Sequence, residues 1–428
     1  MAADYDLVVL GGGLEGRIAA TIAVGYGARV ALVEPPDLFE DGQRQQWLLA
    51  GLQQLGQVLQ RQAVGERFGW AKVEGELSWP QLLAWSEIAA ESQSVSYSAA
   101  VMSARGVDVV LERPEFLSRR MAVTTKTRQL RARGVLVACG TVPAATSLLE
   151  RSALPKFANV VGGSVMAIAW AEALAAVGVA VRLIAQQVMP EADADVRRIV
   201  RSQLIAAGIE IAPVCEEDWL VLKIDPSKPV LTLPGFVRAS GSRLRVNRKL
   251  QTSHSRLFAC GAVLGGSTNA RLAECEARVA VINALFLPVK RVDYGSTVRG
   301  YGRYACVGLT QAAATARYGD EVRVQTASDA NSADLSRVGP LPTYCKLVCA
   351  GDRLVGVHLI GEGAEGLACL LAKRLGQSVS GLDGGSLSSR DLVDLAFEGG
   401  GRSRQSRWQI GHWRRDWAEN WFNWRRSR

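Results

Sequence analysis

Gly11, Gly13 and Gly16 stand at the spacing GxGxxG inside GGGLEG, with Leu14 and Glu15 filling the last gap and Glu34 ending the next apolar run. Each type suits one task in holding a dinucleotide. Gly11 allows a tight turn, Gly13 lets a pyrophosphate come close to the backbone, and Gly16 lets a helix lie against a strand. Glu34 is placed to accept hydrogen bonds from a ribose. Glu15 is the discordant residue, because its carboxylate would stand close to the pyrophosphate.

Those residues need a frame, and the surrounding pattern supplies one. Leu7 to Leu10 is a short apolar run, Arg17 to Tyr26 is rich in alanine and isoleucine, and Arg29 to Val33 is a second apolar run. This reads strand, glycine turn, helix, strand, and the helix N-terminus would favour phosphate charge. The most apolar stretch, Val165 to Ala185, is broken by Glu172, Gly178 and Arg182, so it reads as a buried helix and strand and not as a bilayer span. A chain of 428 residues implies two or three domains.

With its opening DYDLVVLGGGLEGRIAATIAVGYGARVALVE, the chain resembles the flavoprotein pyridine nucleotide-disulfide oxidoreductases. Further segments resemble that family's motifs in the same order: LRARGVLVACGTVPA, NVVGGSVMAIAWAEALAAVGVAVRLIA, LQTSHSRLFACGAVLGGSTNARLAECEARVAVINAL, YACVGLTQAAATARYGDEVRV and YCKLVCAGDRLVGVHLIGEGAEGLACLLAKRLG. The resemblance implies an α/β fold with two Rossmann-like dinucleotide-binding domains, a C-terminal α+β dimerisation-type domain and, beyond them, a basic Trp-rich tail helix. The expected boundaries are 1–155 and 235–290 for the FAD-type domain and 156–234 for a truncated NAD(P)H-type domain. Residues 291–398 would form the interface domain, and 399–428 a Gly/Arg linker and amphipathic tail. It further implies FAD contacts from Gly11, Gly13, Leu14, Gly16, Glu34, Cys139, Gly140, Gly261 and Ala262.

The chemistry of the family does not follow from its fold. No cysteine lies between Glu34 and Cys139, where the family's redox-active dithiol belongs; the stretch reads DLFEDGQRQQWLLAGL. The His-Pro acid–base motif is missing too: the histidines are His254, His358 and His412, and the matching stretch GGSLSSRDLVDLAFEGG has none. In the nicotinamide motif, Gly162 and Gly163 are followed by Ser164, whose side chain would crowd a pyrophosphate, Ala169 replaces an acid, and no acid or arginine ends the next strand at Gln186 and Gln187. NAD(P)H binding is therefore expected to be weak or absent. Ala262 stands where the family has an aspartate, a loss worth about 1.5–3 kcal/mol, which would weaken an FAD site without abolishing it. Cys139 and Cys260 read as small buried hydrophobes. Cys345 and Cys349 share a strand face too far apart to bridge. His254 and His358 read as structural, and no metal site is visible.

Six of the nine net positive charges belong to the tail, where eight arginines from Arg402 onward face Asp416 and Glu419. Trp413, Trp417, Trp421 and Trp424 fall on one helical face, with Arg414, Arg415, Arg425 and Arg426 largely opposite. This pairing suits a protein groove in a larger assembly, an anionic membrane surface, or packing against the chain's own body or a dimer partner. Nucleic acid is a poor fit to a nearly neutral body. The scattered cysteines and signal-free N-terminus imply a reducing, cytoplasmic setting, with peripheral attachment to a membrane or membrane complex as a variant. Two readings of function stay open. One is a scaffold or accessory subunit, possessing the flavoprotein fold without dithiol chemistry and docked through its tail. The other is a dithiol-independent flavin oxidoreductase passing electrons to a quinone, metal or oxygen.

Overall fold

A computed structural model describes residues 3–36, 38–70, 75, 77–117, 122–139, 145–214, 219–224, 239–240, 243–264, 270–295, 297–328, 342–379 and 412–426. Its first sheet is built around β1 (Tyr5–Leu10), with β2 (Val30–Glu34) and β3 (Val107–Leu111) parallel on one side and β6 (Gln129–Val137) parallel on the other. Val8, Val9 and Leu10 are fully buried, because a parallel strand covered by helices on both faces has no solvent side. β4 (Glu115–Leu117) and β5 (Ala122–Thr124) extend β6 as an antiparallel meander. Far along the chain, β13 (Leu257–Ala259) returns to pair with β6. That return brings Cys260, Gly261 and Ala262 to the same sheet end as the glycine turn.

The helices over this sheet are α1 (Leu14–Gly25) and α8 (Ala270–Leu285), packed on each other. Between β2 and β3 run α2 (Leu38–Arg67), α3 (Trp79–Ser94) and the short α4 (Ala99–Ala104). The cysteine-free LFEDGQRQQWLLAGL thus forms the start of a thirty-residue helix. After the short α5 (Thr146–Leu149), a second parallel sheet has the order β10 (Leu220–Lys223), β7 (Phe157–Val161), β8 (Ala180–Ile184), β9 (Glu210–Ala212). It carries α6 (Val165–Ala176) and α7 (Ala194–Ala206). The two Rossmann-like layers that the resemblance implies are both present.

The third sheet is antiparallel: β14 (Arg299–Tyr301), β15 (Tyr304–Gly308), β18 (Arg353–Gly361), β17 (Pro342–Ala350) and β16 (Val322–Ser328). It packs with α9 (Gln311–Tyr318) and α10 (Ala364–Leu371). The two-residue strands β11 (Ala239–Ser240) and β12 (Arg243–Leu244) pair with each other. Among the described residues no helix is long and apolar enough to cross a membrane.

The tail forms α11 (His412–Arg426), and its described side chains lie on the first domain. Phe422, 1% exposed, and Ala418 join the core of α1 and α8. Phe286 is ringed by Tyr26, Trp417, Trp421 and Phe422. The expectation that the arginines oppose the tryptophans is corrected here. Trp421 Nε1 and Arg425 Nη1 both donate to the Leu285 carbonyl, at 3.3 and 2.6 Å, and Arg426 pairs with buried Asp6 at 2.6 Å. The deepest contact, Phe422, is a residue the tryptophan spacing did not single out. Of the four tryptophans, Trp417 and Trp424 are exposed. The side chains of Trp413, Arg414 and Arg415 lie outside the described residues.

Candidate functional site

The glycine turn joins the end of β1 to the start of α1, at the carboxyl edge of the first sheet. Gly11 has φ +105°, and a Cβ there would strike the Ala138 backbone at 2.5 Å. A Cβ at Gly16 would collide with the Gly11 carbonyl. Both glycines thus do the turning and close packing expected of them. Leu14, the first residue of α1, packs at the edge of the core beneath.

Glu34 is not presented to a ribose, which corrects the expectation for it. Its carboxylate lies over Gly12, where any Cβ would collide with it, and pairs with Arg17. Both residues are 1% exposed. Arg17 is anchored on every side: Nε donates to the Gly12 carbonyl at 2.9 Å, Nη1 donates to the Tyr97 carbonyl at 2.5 Å, and the guanidinium sits 4.0 Å from the centre of the Phe39 ring. Burial pushes the Glu34 carboxyl up to about 7, against the pull of Arg17 and helped by the charge of Glu40. Glu34 Oε2 is buried without a hydrogen-bond partner.

The opposite wall is also taken up by carboxylates. Glu15 sits at the head of α1 and faces the turn just past β13. Its side chain lies against Gly261, whose Cβ, if present, would stand 2.6 Å from Glu15 Cγ. The Gly261 N–H donates to Glu276 Oε2 at 2.6 Å, and the Tyr294 hydroxyl donates to Glu276 Oε1 at 2.9 Å. Burial raises both carboxyls, and the charge of Glu15 raises Glu276 further. Cys139 and Cys260 lie just past the ends of β6 and β13 within the core, and burial holds both thiols well up, Cys139 to about 12. Gly140 lies outside the described residues.

Residues 158–216, which contain β7, α6, β8, α7 and β9, match the family model described as pyridine nucleotide-disulphide oxidoreductase. Dihydrolipoyl dehydrogenase of Chlorobaculum tepidum is 26% identical over 477 residues, covering 93% of this chain and 97% of the relative. The enzyme of the same name in Bacillus subtilis strain 168 is 22% identical over 425 residues, covering 84% and 89%. The chain is thus similar to the pyridine nucleotide-disulphide oxidoreductases in one matched domain and, through these relatives, along most of its length. A shorter likeness, 29% over 154 residues and 33% of each chain, links it to glutathione reductase of Yarrowia lipolytica.

The family is one of flavoproteins that bind FAD and NAD(P), so the groove can be tested for fit to FAD. An FAD pyrophosphate needs backbone N–H donors and no like charge nearby. Here the Gly261 N–H carries Glu276, the Glu15 side chain stands between Gly13 and Gly261, and the ribose acid is sealed behind Arg17. In this arrangement the residues present do not fit the group.

At the second sheet, Gly162 has φ +140°, and Gly163 packs so closely that a Cβ would collide with the Gln187 carbonyl. Ser164 is the N-cap of α6, its hydroxyl accepting the Ala167 N–H at 3.2 Å, and Ala169 is in the core. Cys345 and Cys349 sit buried on β17, both unbridged. His254 lies in a turn, its Nδ1 accepting the Arg256 N–H at 3.3 Å.

His358 belongs to a charged cluster that no sequence motif announces. Lys346, 0% exposed, pairs with Asp193 at 3.1 Å and Asp195 at 2.8 Å; Tyr344 donates to Asp195 at 3.2 Å; and His358 Nε2 lies 3.8 Å from Asp193. It ties the head of α7 to β17 and β18, residues far apart in the chain. No group of three or more His, Cys, Asp or Glu among the described residues is placed to hold a metal ion. Arg17 is the site residue that sequence reasoning missed. Its signal was an arginine directly after the last glycine of the turn, facing an acid at the end of the next strand.

Proposed function

We propose that this chain is a redox-silent member of its family, working as a scaffold or accessory subunit of a protein assembly. The observation that carries this reading is the stretch from 35 to 138, which has no cysteine and in which α2 begins where a dithiol would be needed. A hydride transferred to a flavin has no sulfur acceptor beside it. Cys139 and Cys260 are poor substitutes, since burial disfavours the thiolate that would react.

Weak use of NAD(P)H is part of the same reading. The Ser164 hydroxyl takes an N–H at the head of α6 that a phosphate would need, which supports it. An assembly role is supported by large apolar side chains turned outward: Phe68 is 87% and Trp70 74% exposed beyond α2, and Trp417 is 55% exposed on the tail. Among the described tail residues, Trp417 and Trp424 are the exposed tryptophans.

Turnover assays test the proposal. The protein, with FAD added, is given dihydrolipoamide and NAD+, then NADH or NADPH with ferricyanide or a quinone. No rate above the flavin-only blank is expected in either. Protein-dependent reduction of ferricyanide or quinone would overturn the reading in favour of a dithiol-independent oxidoreductase.

A further inference from the structure

Three carboxylates converge on the glycine turn, and each is engaged with the protein itself. Glu15 stands between the two walls that would flank a pyrophosphate: it belongs to the head of α1, and its side chain lies against Gly261 just past the end of β13. Gly13, the N-cap of α1, offers no side-chain cap, so Glu15 supplies the anion that this helix end favours. Glu276 holds the neighbouring Gly261 N–H at 2.6 Å. Glu34, paired with Arg17, fills the space over Gly12.

We infer that Glu15 is a built-in occupant of the pyrophosphate seat, so that the groove is complete without a dinucleotide and rejects one. The argument is steric and electrostatic together. The side chain of Glu15 lies 2.6 Å from a Cβ position on Gly261 and 3.0 Å from one on Gly13, so it stands between the turn and the end of β13. A diphosphate entering there would strike the Glu15 side chain and meet like charge from Glu15 and Glu276. Arg17 does not offset this, because its charge is already spent on Glu34 and its three donor contacts are all inward.

This inference concerns occupancy and is independent of whether the chain turns over. The full-length protein is titrated with ADP by calorimetry, as wild type, Glu15→Gln and Glu15→Ala, with circular dichroism checking that each is folded. Wild type should give no saturable heat at millimolar ADP. Glu15→Gln keeps the shape and removes the charge, and should bind ADP at least about tenfold more tightly than wild type. Glu15→Ala, if folded, should gain at least as much. Wild-type protein that binds ADP as tightly as Glu15→Gln, or that is purified with stoichiometric FAD, would overturn the inference, as would folded variants with no gain. A wild type that holds FAD yet gives no turnover would sink this inference and leave the proposed function standing.

Discussion

Arg17 and Glu34 form an ion pair at the mouth of the first dinucleotide fold, each 1% exposed, with the arginine also bonded to the carbonyls of Gly12 and Tyr97. Arg17→Met should cost about 1–3 kcal/mol, because it leaves Glu34 Oε1 and the Gly12 and Tyr97 carbonyls without their donor. Arg17→Met combined with Glu34→Leu should recover most of that loss. Urea unfolding midpoints of the three variants at neutral pH check this, and a double mutant no more stable than Arg17→Met would contradict it.

Glu34 also predicts a pH dependence. Its folded value is raised from the usual carboxylate range to about 7, so its contribution is fully present below about 4.5 and is lost as pH rises through 7. Wild type should therefore lose stability relative to Glu34→Gln between pH 5 and pH 8. The comparison is between variants, since Glu15, Glu172 and Glu276 shift in the same direction. Chemical denaturation at the two pH values gives the difference.

Lys346 joins the head of α7 to the antiparallel sheet through Asp193 and Asp195. Lys346→Ala removes a fully buried cation and strands Asp193, so a loss of about 3–5 kcal/mol is expected. Burial lowers the pKa of nearby His358, so the stability it contributes is present above about 6.5 and lost as pH falls. Thermal melts of wild type and His358→Gln from pH 7.5 down to pH 5 should converge.

The tail helix should be separable from the body. Phe422→Ala removes its deepest contact, a change worth about 3 kcal/mol or more in a packed core. The loss should appear as faster amide exchange across 412–426, with β1 and β6 remaining protected. Exchange that accelerates equally in the strands would show the helix to be integral to the first domain.

Thiol labelling should follow burial. Cys139, Cys260 and Cys345 have thiols raised by desolvation, so iodoacetamide at pH 8 should leave all three unmodified in the native protein and label them after unfolding. Peptide mass spectrometry reads each site. Rapid native labelling of Cys139 or Cys260 would reopen a thiol role at the groove.

The sequence by itself determined the local pieces. A glycine turn between an apolar run and an alanine-rich helix can fold in few ways, so β1, the turn, α1 and β2 were legible from residue type and spacing. The missing dithiol is equally a fact of sequence, since no cysteine lies from 35 to 138. Tertiary structure alone decided what each site residue does. Glu34 reads as a ribose acceptor until Arg17, itself held by Tyr97 and Phe39, is seen to pair with it, and Glu15 reads as a discordant charge until the turn after β13 brings Gly261 to it from across the chain. Lys346, Asp193 and His358 have no shared motif, and the tail's amphipathic face did not say which surface would receive Phe422. The physical reason is the same in each case. Periodicity and turn chemistry act over a few residues, whereas a buried charge or an apolar helix face takes its partner from whatever the fold places within reach.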